Sequence, residues 1–303
     1  MLLAAIDIGS NAIRLQIIRG NENKGKVSFK KLEFIRFPLR LGKDAFTQKE
    51  IQKSTLEKFE KLMRTFKLMI DLYEVDHYFA VATSAMREAK NGKAIINSIA
   101  TYFNLKIDII SGDLEAEILS KAIIPYLDDK NYIHIDVGGG STELNFYVNK
   151  KRIKSRSFKV GSVRNLNEAK SKQLYKQITT WVNGVTKKFS GPIIGIGTGG
   201  NINKLFKLSN QKYNGSVSLT ELKGMQAYVS QYSYDERIKF LNMNPDRADV
   251  ILPASNIYIK ILSIVGADQI LVPGAGLKDG LLYSLYERSS KKSIKEVVFV
   301  GLD

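Results

Sequence analysis

Two aspartates, each followed by a short glycine-containing turn, are the residues of this sequence best suited to do chemistry. Asp7 and Asp136 each end an apolar run, and a second apolar run follows each turn, which predicts a strand, a tight turn and a returning strand. Glycine lets backbone N–H groups approach an anion with no side chain in the way, so such a turn suits a phosphate group. A plain hairpin is the alternative for each turn. The turn residues are Gly9, Ser10 and Asn11 after Asp7, and Gly138, Gly139, Gly140 and Ser141 after Asp136.

The two turns belong to an internal repeat. The segment IDIGSNAIRL from Ile6 aligns with IDVGGGSTEL from Ile135 at a constant offset of 129 residues. A repeat at about half the chain length predicts two duplicated domains that face each other, with the turns on opposite walls of one cleft. Because the turns occupy matching positions, phosphate binding is a more specific prediction for the pair than for either turn by itself.

Three carboxylates near these turns could hold a metal or act as a base. Asp136 ends its strand and Glu143 lies on the returning strand, so the turn directs both toward its mouth, where oxygen ligands beside a phosphate suit Mg²⁺. Salt bridging or capping is the alternative for this pair. Glu115 lies in a turn-to-helix segment that begins at Ser111, where it could deprotonate a water molecule or only complement the helix dipole.

Basic residues lie in two short motifs and one cluster. Arg40 lies in PLRLG, and Arg87 lies in TSAMR. If residues 152–158 form a strand, the alternation of side chains predicts that Arg152, Lys154 and Arg156 share one face, where they could follow an extended polyanion. A solvated edge strand protected by charge is the alternative for these three residues.

Composition limits the classes of protein. The 303 residues predict two compact domains joined by a short hinge. The formal net charge is +16, with 20 basic and 15 acidic residues up to residue 123 and 26 against 15 afterwards; this favours an acidic partner, although a generally basic surface is the alternative. Without cysteine, disulfides, thiolate metal sites and a cysteine nucleophile are excluded. We find no signal-like segment or apolar run of membrane length, so we expect a cytoplasmic protein with no membrane partner.

Helical and strand patterns alternate along both halves of the chain. Apolar spacing predicts one long amphipathic helix from Thr47 to Tyr73 and further helices over 93–103 and 114–126, the last ending near Pro125. Strands are predicted over 77–83, 106–110 and 132–137. This alternation predicts an α/β fold.

In combination, these motifs resemble the exopolyphosphatase and guanosine pentaphosphate phosphohydrolase (Ppx/GppA) family of the actin-like ATPase superfamily. The resemblance extends from Ala4 to about Leu285 and is carried, in order, by AAIDIGSNAIRL, ATSAMREAKNG, IISGDLEAE, IDVGGGSTEL, GIGTGG, and RADVILPA followed by GAGLKDGLL. It implies two actin-like (ribonuclease H-like) domains with an active-site cleft between them. We expect residues 1–123 to form the first domain and residues 124–303 the second, with packing of the C-terminal helix or tail back on the first domain as an option.

The same resemblance implies roles for individual residues. Glu115 would activate the attacking water, and Asp136 and Glu143 would hold or orient Mg²⁺. The two glycine turns would bind the phosphates, and further charge on the substrate would be neutralised by Arg87, Arg40 and Arg14. The chain departs from the family pattern at Leu114, where a second acidic residue is common, and at Asn201, where the glycine loop commonly has threonine. The second departure weakens any inference of nucleotide binding by that loop.

The implied reaction is an in-line attack of water on the terminal phosphorus of inorganic polyphosphate. Guanosine pentaphosphate is the alternative substrate, and a sensor that binds anionic polymers without turnover is the alternative of another class. The basic second half favours polyphosphate, and the retained acidic residues favour catalysis over sensing. We do not expect nucleic acid as a partner, because the basic cluster offers only Phe158 for stacking. A homodimer is left as an option.

Overall fold

The structure is a computed structural model that describes residues 1–23, 26–164, 166–187, 189–209 and 215–292. The chain divides into two compact units. Of the described residues, the first contains Met1–Ala122 and 277–292, and the second contains those within Ile123–Gly276.

Strands and helices alternate in both units. The described strands are β1 (Leu2–Ile8), β2 (Ile13–Asn23), β3 (Lys26–Phe37), β4 (His77–Ala82), β5 (Asp108–Ile109), β6 (Asn131–Val137), β7 (Thr142–Val148), β8 (Lys151–Phe158), β9 (Ile193–Thr198), β10 (Ser216–Ser218) and β11 (Gln269–Leu271). The described helices are α1 (Leu41–Thr47), α2 (Lys53–Leu72), α3 (Ser84–Glu88), α4 (Gly92–Phe103), α5 (Gly112–Ile123), α6 (Glu168–Thr186), α7 (Gly200–Leu208), α8 (Leu219–Ser230), α9 (Tyr234–Lys239), α10 (Pro245–Ala248), α11 (Ile251–Val265) and α12 (Leu277–Ser290).

The sheet of the first unit has the strand order β3-β2-β1-β4-β5. Strand β1 is antiparallel to β2 and parallel to β4, so both its edges are paired, and its side chains are buried from Leu3 to Ile8. Alternate residues such as Ile6 and Ile8 join the apolar core that includes Phe59 and Phe66 of α2. Residues of the other parity, such as Leu3, pack with α12. The carboxyl end of β1 therefore presents the turn after Asp7 at a fixed edge of the sheet.

The sheet of the second unit has the strand order β10-β11-β9-β6-β7-β8. One face carries the large core to which Ile133 and Ile135 of β6 contribute. The opposite face is apolar where Tyr132, Tyr147 and Ile196 cluster. Toward the carboxyl end of β6 this same face becomes polar, because His134 and Asp136 follow Tyr132 at intervals of two residues and side chains two residues apart on a strand share a face.

The two units repeat one topology. Strand β6 lies 129 residues after β1 at both of its ends, and β7 begins 129 residues after β2. The order β3-β2-β1-β4-β5 recurs as β8-β7-β6-β9-β11, with β10 added at the edge. The predicted α/β class with two related domains is confirmed, whereas a cleft with the turns on its walls stays a prediction.

The division of the chain differs from the predicted domains at the C-terminal end. Helix α12 belongs to the first unit and not to a second domain of residues 124–303. Leu281 and Leu282 are fully buried among Leu3, Ala5 and neighbouring apolar side chains of the first sheet, which explains the assignment. Helix α12 thus packs on the first unit, which the sequence analysis gave as an option. The tail from residue 293 lies outside the described residues.

The prediction of one long helix from Thr47 to Tyr73 is wrong at its N-terminal end. The chain instead forms α1, a short connection and then α2. Lys49 has a φ of 65°, which a helix cannot contain, and the side chain of Asn91 accepts a hydrogen bond from Ile51 N–H at 2.9 Å. Because this bond joins residues 40 positions apart, helical periodicity could not predict the break.

The stretch Pro245–Val265 is apolar and long enough to cross a membrane by composition, although three charged residues near its start interrupt the apolar run. Half of it is buried inside the protein. Its residues Ile257, Tyr258 and Ile261 belong to the core of the second unit, as expected for a core helix.

Candidate active site

The first glycine turn, residues 9–11, is fixed by the start of α1. The carbonyl of Ser10 accepts from Gly42 N–H at 2.7 Å, and the carbonyl of Asn11 accepts from Arg40 N–H at 3.0 Å. Arg40 itself has a φ of 60°, a left-handed conformation that is rare for a residue with a side chain and that often marks a functional position. The turn is therefore oriented by the backbone that carries Arg40.

The strand-to-helix junction after β4 also contacts this turn. Ser84 at the start of α3 shares a hydrogen bond of 2.8 Å with Ser10, between the two Oγ atoms, and both residues are buried. Thr83 N–H donates to the carbonyl of Ile8 at 3.1 Å. The motif that contains Arg87 is thus attached to the first glycine turn. Sequence patterns singled out this motif but predicted no role for Ser84.

Asp7 is paired within its own hairpin. Arg14 Nη1 lies 2.6 Å from Asp7 Oδ2, and the two residues are directly opposite in the β1–β2 register. The carboxylate is buried at a relative exposure of 4%. Arg14 therefore balances the charge of Asp7, and this contact limits its availability for a substrate phosphate.

Glu115 lies in the first turn of α5, next to Arg87. Ser111 caps the helix by accepting from Leu114 N–H at 3.2 Å. The Glu115 side chain is 9% exposed, and its Oε2 lies 3.7 Å from Nη1 of Arg87. The same Nη1 donates to the carbonyl of Ile110 at 2.5 Å, which anchors the guanidinium. The structure therefore brings the predicted base and one predicted phosphate ligand together within the first unit.

The second glycine turn, residues 138–141, is held by its carbonyl groups. The carbonyls of Gly138 and Gly139 accept from the N–H groups of residues 162 and 163 at 3.0 and 2.8 Å. The carbonyl of Gly140 accepts from Arg164 Nε at 2.8 Å.

The N–H groups of this second turn are not used in the same way. Among the described residues, none of the backbone hydrogen bonds is donated by the N–H groups of Gly139, Gly140 or Ser141. Gly140 and Ser141 are buried, and buried N–H groups are normally paired. A turn with bonded carbonyls and open N–H groups is suited to bind an anion.

Asp136 and Glu143 face each other beside this turn. They are directly opposite in the β6–β7 register, and Glu143 is 1% exposed. Two like charges in opposed positions destabilise a sheet unless something neutralises them. Ser157 Oγ donates to Glu143 Oε1 at 2.9 Å, and Thr198 Oγ1 donates to Asp136 Oδ1.

This pair of carboxylates fits Mg²⁺ better than a metal that needs an all-protein cage. Among the described residues, no group of three or more His, Cys, Asp or Glu converges as a metal site. Mg²⁺ is usually bound through one or two carboxylates together with substrate phosphates and water. The donor set beside the second glycine turn therefore suits Mg²⁺ that arrives with a phosphorylated substrate.

Two buried aromatic side chains complete the surroundings of Asp136. Tyr258 accepts from Val137 N–H at 3.2 Å and donates to the carbonyl of Thr198; burial raises the pKa of its hydroxyl well above the usual value of 10, so it stays protonated. His134 is fully buried, and burial lowers the pKa of its imidazole to about 3. The imidazole is therefore neutral near pH 7.

A family model described as the Ppx/GppA phosphatase family matches residues 21–289. The chain belongs to this family. The family resemblance of the sequence motifs is thereby confirmed, whereas the role of each site residue stays a prediction.

The relatives of this Ppx/GppA chain are distant in sequence. It is 27% identical to a bifunctional 3-dehydroquinate synthase/phosphatase of Fusobacterium nucleatum, over 89% of this chain and 44% of the relative. It is 23% identical to a guanosine-5'-triphosphate,3'-diphosphate pyrophosphatase of Photobacterium profundum, over 97% of this chain and 61% of the relative. The chain thus spans about half the length of the curated relatives it matches.

Solved structures support the same family and fold. A Ppx/GppA enzyme of Aquifex aeolicus is 26% identical, with a TM-score of 0.73 over 94% of this chain and 99% of that chain. An exopolyphosphatase from Cytophaga hutchinsonii is 21% identical, with a TM-score of 0.79 over 94% of this chain and 97% of that chain. The actin-like α/β fold implied by the motifs is confirmed.

The basic row predicted for this Ppx/GppA chain does not lie on one face of β8. Lys154 is opposite Phe146, but the register then shifts and Arg152 is opposite Tyr147. Residues opposite each other on paired strands share a face of the sheet, whereas Phe146 and Tyr147, which are consecutive on β7, lie on different faces. The bulge therefore places Arg152 on the face opposite to that of Lys154 and Arg156. All three side chains are exposed at the edge of the sheet, as the alternative of a charged edge strand expects.

Proposed function

We propose that this chain hydrolyses phosphoanhydride bonds and releases terminal orthophosphate from inorganic polyphosphate. The observation that carries the proposal is the second glycine turn, whose open N–H groups lie beside the opposed carboxylates Asp136 and Glu143. This combination can bind a phosphate and a hard cation at one place. Asp136 and Glu143 would hold Mg²⁺, which when bound supplies charge neutralisation at the phosphate oxygens.

The remaining chemistry is assigned to the first unit. The Glu115 carboxylate would accept a proton from the attacking water, and water would add to the terminal phosphorus as the bridging oxygen leaves with its electron pair. Arg87 would stabilise charge on the phosphoryl oxygens, with Arg40 and, to a smaller extent, Arg14 and the first glycine turn as further phosphate ligands. The charge balance of Asp7 by Arg14 supports this smaller part for Arg14.

Polyphosphate is the preferred substrate in this proposal because the second half of the chain carries most of the basic excess. Hydrolysis of guanosine pentaphosphate to the tetraphosphate is the second candidate, supported by the two curated relatives named as guanosine-5'-triphosphate,3'-diphosphate pyrophosphatases. A non-catalytic sensor is less well supported, since Glu115, Asp136 and Glu143 are all present. A cytoplasmic location, a homodimer, and the absence of nucleic-acid and membrane partners remain predictions.

The role of Glu115 is tested by Glu115→Gln with Glu117→Gln as the matched control. Glu117 lies on the same helix but is exposed. Loss of a general base removes a factor of about 10²–10⁴ in rate, so we expect Glu115→Gln to lose nearly all phosphate release, with an unchanged circular dichroism spectrum. Glu117→Gln should release phosphate like the wild type. A Glu115→Gln protein with wild-type rates would refute the assigned base.

A further inference from the structure

Three buried polar side chains form a continuous hydrogen-bonded path to Asp136. Asn145 Nδ2 lies 3.1 Å from His134 Nδ1, and His134 Nε2 lies 2.8 Å from Thr198 Oγ1. Thr198 Oγ1 in turn bonds to Asp136 Oδ1. Asn145, His134 and Thr198 each have a relative exposure of 0%.

The donors and acceptors on this path can be ordered in one direction. An ionised carboxylate only accepts, so the hydroxyl of Thr198 must donate its hydrogen to Asp136. The same oxygen then accepts from His134, which places the imidazole hydrogen on Nε2. Nδ1 of His134 is left as an acceptor, and the amide nitrogen of Asn145 donates to it.

The strand register explains why these residues meet. His134 and Asp136 are two residues apart on β6, so their side chains share one face of the sheet. Asn145 is opposite His134 on β7, and Thr198 is opposite Asp136 on β9. The path therefore spans three adjacent strands, β9, β6 and β7, none of which lies at an edge of the sheet.

Packing alone does not account for a polar path at this position. The next row on the same face is apolar, with Tyr132 opposite Tyr147 and an isoleucine on β9. Asn145 Oδ1 is buried without a hydrogen-bond partner in the described part of the chain, which is a cost that an apolar pair would avoid. A polar row that ends on a candidate metal ligand is better explained by its effect on that ligand.

We propose that His134 is a positioning residue that acts through Thr198 to fix the carboxylate of Asp136 for a divalent cation. This inference rests on the proposed function, because it assumes that Asp136 is a metal ligand. Thr198 holds one oxygen of Asp136 in place, His134 fixes the direction of the Thr198 hydroxyl, and Asn145 fixes the imidazole tautomer. Partners of this kind orient metal ligands and commonly change metal affinity by a factor of about 10–100.

The test compares two pairs of variants in the full chain. Thr198→Val removes the hydroxyl while keeping the shape, and Thr198→Ser keeps the hydroxyl. His134→Leu removes both polar atoms, and His134→Gln retains an N–H that can reach Thr198. Binding of Mn²⁺ is measured directly by electron paramagnetic resonance, with and without orthophosphate, and thermal unfolding reports folding.

We expect the Mn²⁺ dissociation constant of Thr198→Val and His134→Leu to rise by about 10-fold or more. Thr198→Ser should bind close to the wild type, and His134→Gln should recover part of the loss. If Thr198→Val folds and binds Mn²⁺ as the wild type does, the positioning role is overturned. If His134→Leu does not fold, the positioning role is overturned when Thr198→Val and His134→Gln both bind Mn²⁺ with wild-type affinity.

The proposed function fails in a distinguishable way. A wild-type protein that binds no divalent cation, even with phosphate or polyphosphate present, would overturn the assignment of Asp136 and this inference with it. A wild type that binds Mn²⁺ and releases phosphate, alongside unaffected variants of Thr198 and His134, would overturn only the positioning role.

Discussion

Asp7 and Asp136 occupy the same position of the internal repeat, but a basic residue lies opposite Asp7 and an acidic residue lies opposite Asp136. Arg14 lies 2.6 Å from Asp7, whereas Glu143 is opposite Asp136. The first hairpin therefore balances its own charge, and the second concentrates negative charge beside a glycine turn. This difference supports the assignment of the cation to the second unit.

His134 gives a residue-scale prediction on stability. Its folded-state pKa of about 3 lies below the ordinary value of 6.5, so the unfolded chain takes up a proton first as the pH falls. The free energy of unfolding should therefore decrease from about pH 6.5 toward pH 3, with a slope from this group of at most about 1.4 kcal/mol per pH unit. Urea unfolding of the wild type and of His134→Gln, at about pH 7 and about pH 4, measures this decrease in the free energy of unfolding.

The glutamine variant lacks this group and should lose less stability over that range. His77 is exposed and is present in both proteins, so it cancels in the comparison. Equal losses of stability in wild type and His134→Gln would show that the buried imidazole does not resist protonation.

Local sequence patterns were sufficient to predict some residues of the site but not others. The two turns and the pairing of Asp136 with Glu143 could be predicted, because each lies within one hairpin. Ser84 and Thr198 could not, since their partners Ser10 and Asp136 lie 74 and 62 residues away. Only the register of parallel strands brings such pairs together, and the sequence did not reveal that register.

At the scale of elements, the segment after β8 supports the second glycine turn. A Cβ atom at Gly161 would lie 2.4 Å from the carbonyl oxygen of Gly139 and 2.7 Å from the carbonyl carbon of Gly140. These are backbone atoms, so the turn itself would have to move. The close approach also lets residues 162 and 163 donate to the turn carbonyls.

Gly161→Ala should therefore disturb the turn, with Gly184→Ala as the control. Overpacking costs about 1–3 kcal/mol, and a displaced turn should lower phosphate release by about 100-fold. A Cβ atom at Gly184 in α6 would have no described atom within 4 Å beyond its own helix, so alanine there should raise stability by about 0.5–1 kcal/mol. Urea unfolding and a phosphate-release assay measure both effects, and wild-type behaviour of Gly161→Ala would contradict the described packing.

Irregularities within elements were the least predictable part of the fold. The α/β class and most strands followed from alternation and apolar spacing. The break before α2 depends on a contact between Ile51 and Asn91, and the shift in β8 depends on its pairing with β7. Periodicity within one segment carries no information on either contact.

At the scale of the whole molecule, connectivity and charge matter most. The repeat predicted two related units, but not that α12 returns to the first, because its apolar residues could have packed on either sheet. The net charge of +16 is a property of the full surface and supports a polyanionic substrate without identifying it. Substrate choice therefore has to be measured.

The most direct test of the proposed function is release of orthophosphate by the purified protein, measured side by side with polyphosphate of defined length and with guanosine pentaphosphate. Each substrate is supplied with and without Mg²⁺. We predict release that depends on Mg²⁺ and is faster from polyphosphate. Faster release from guanosine pentaphosphate would contradict the substrate assignment, and no release from either substrate with Mg²⁺ present would contradict the proposed hydrolase.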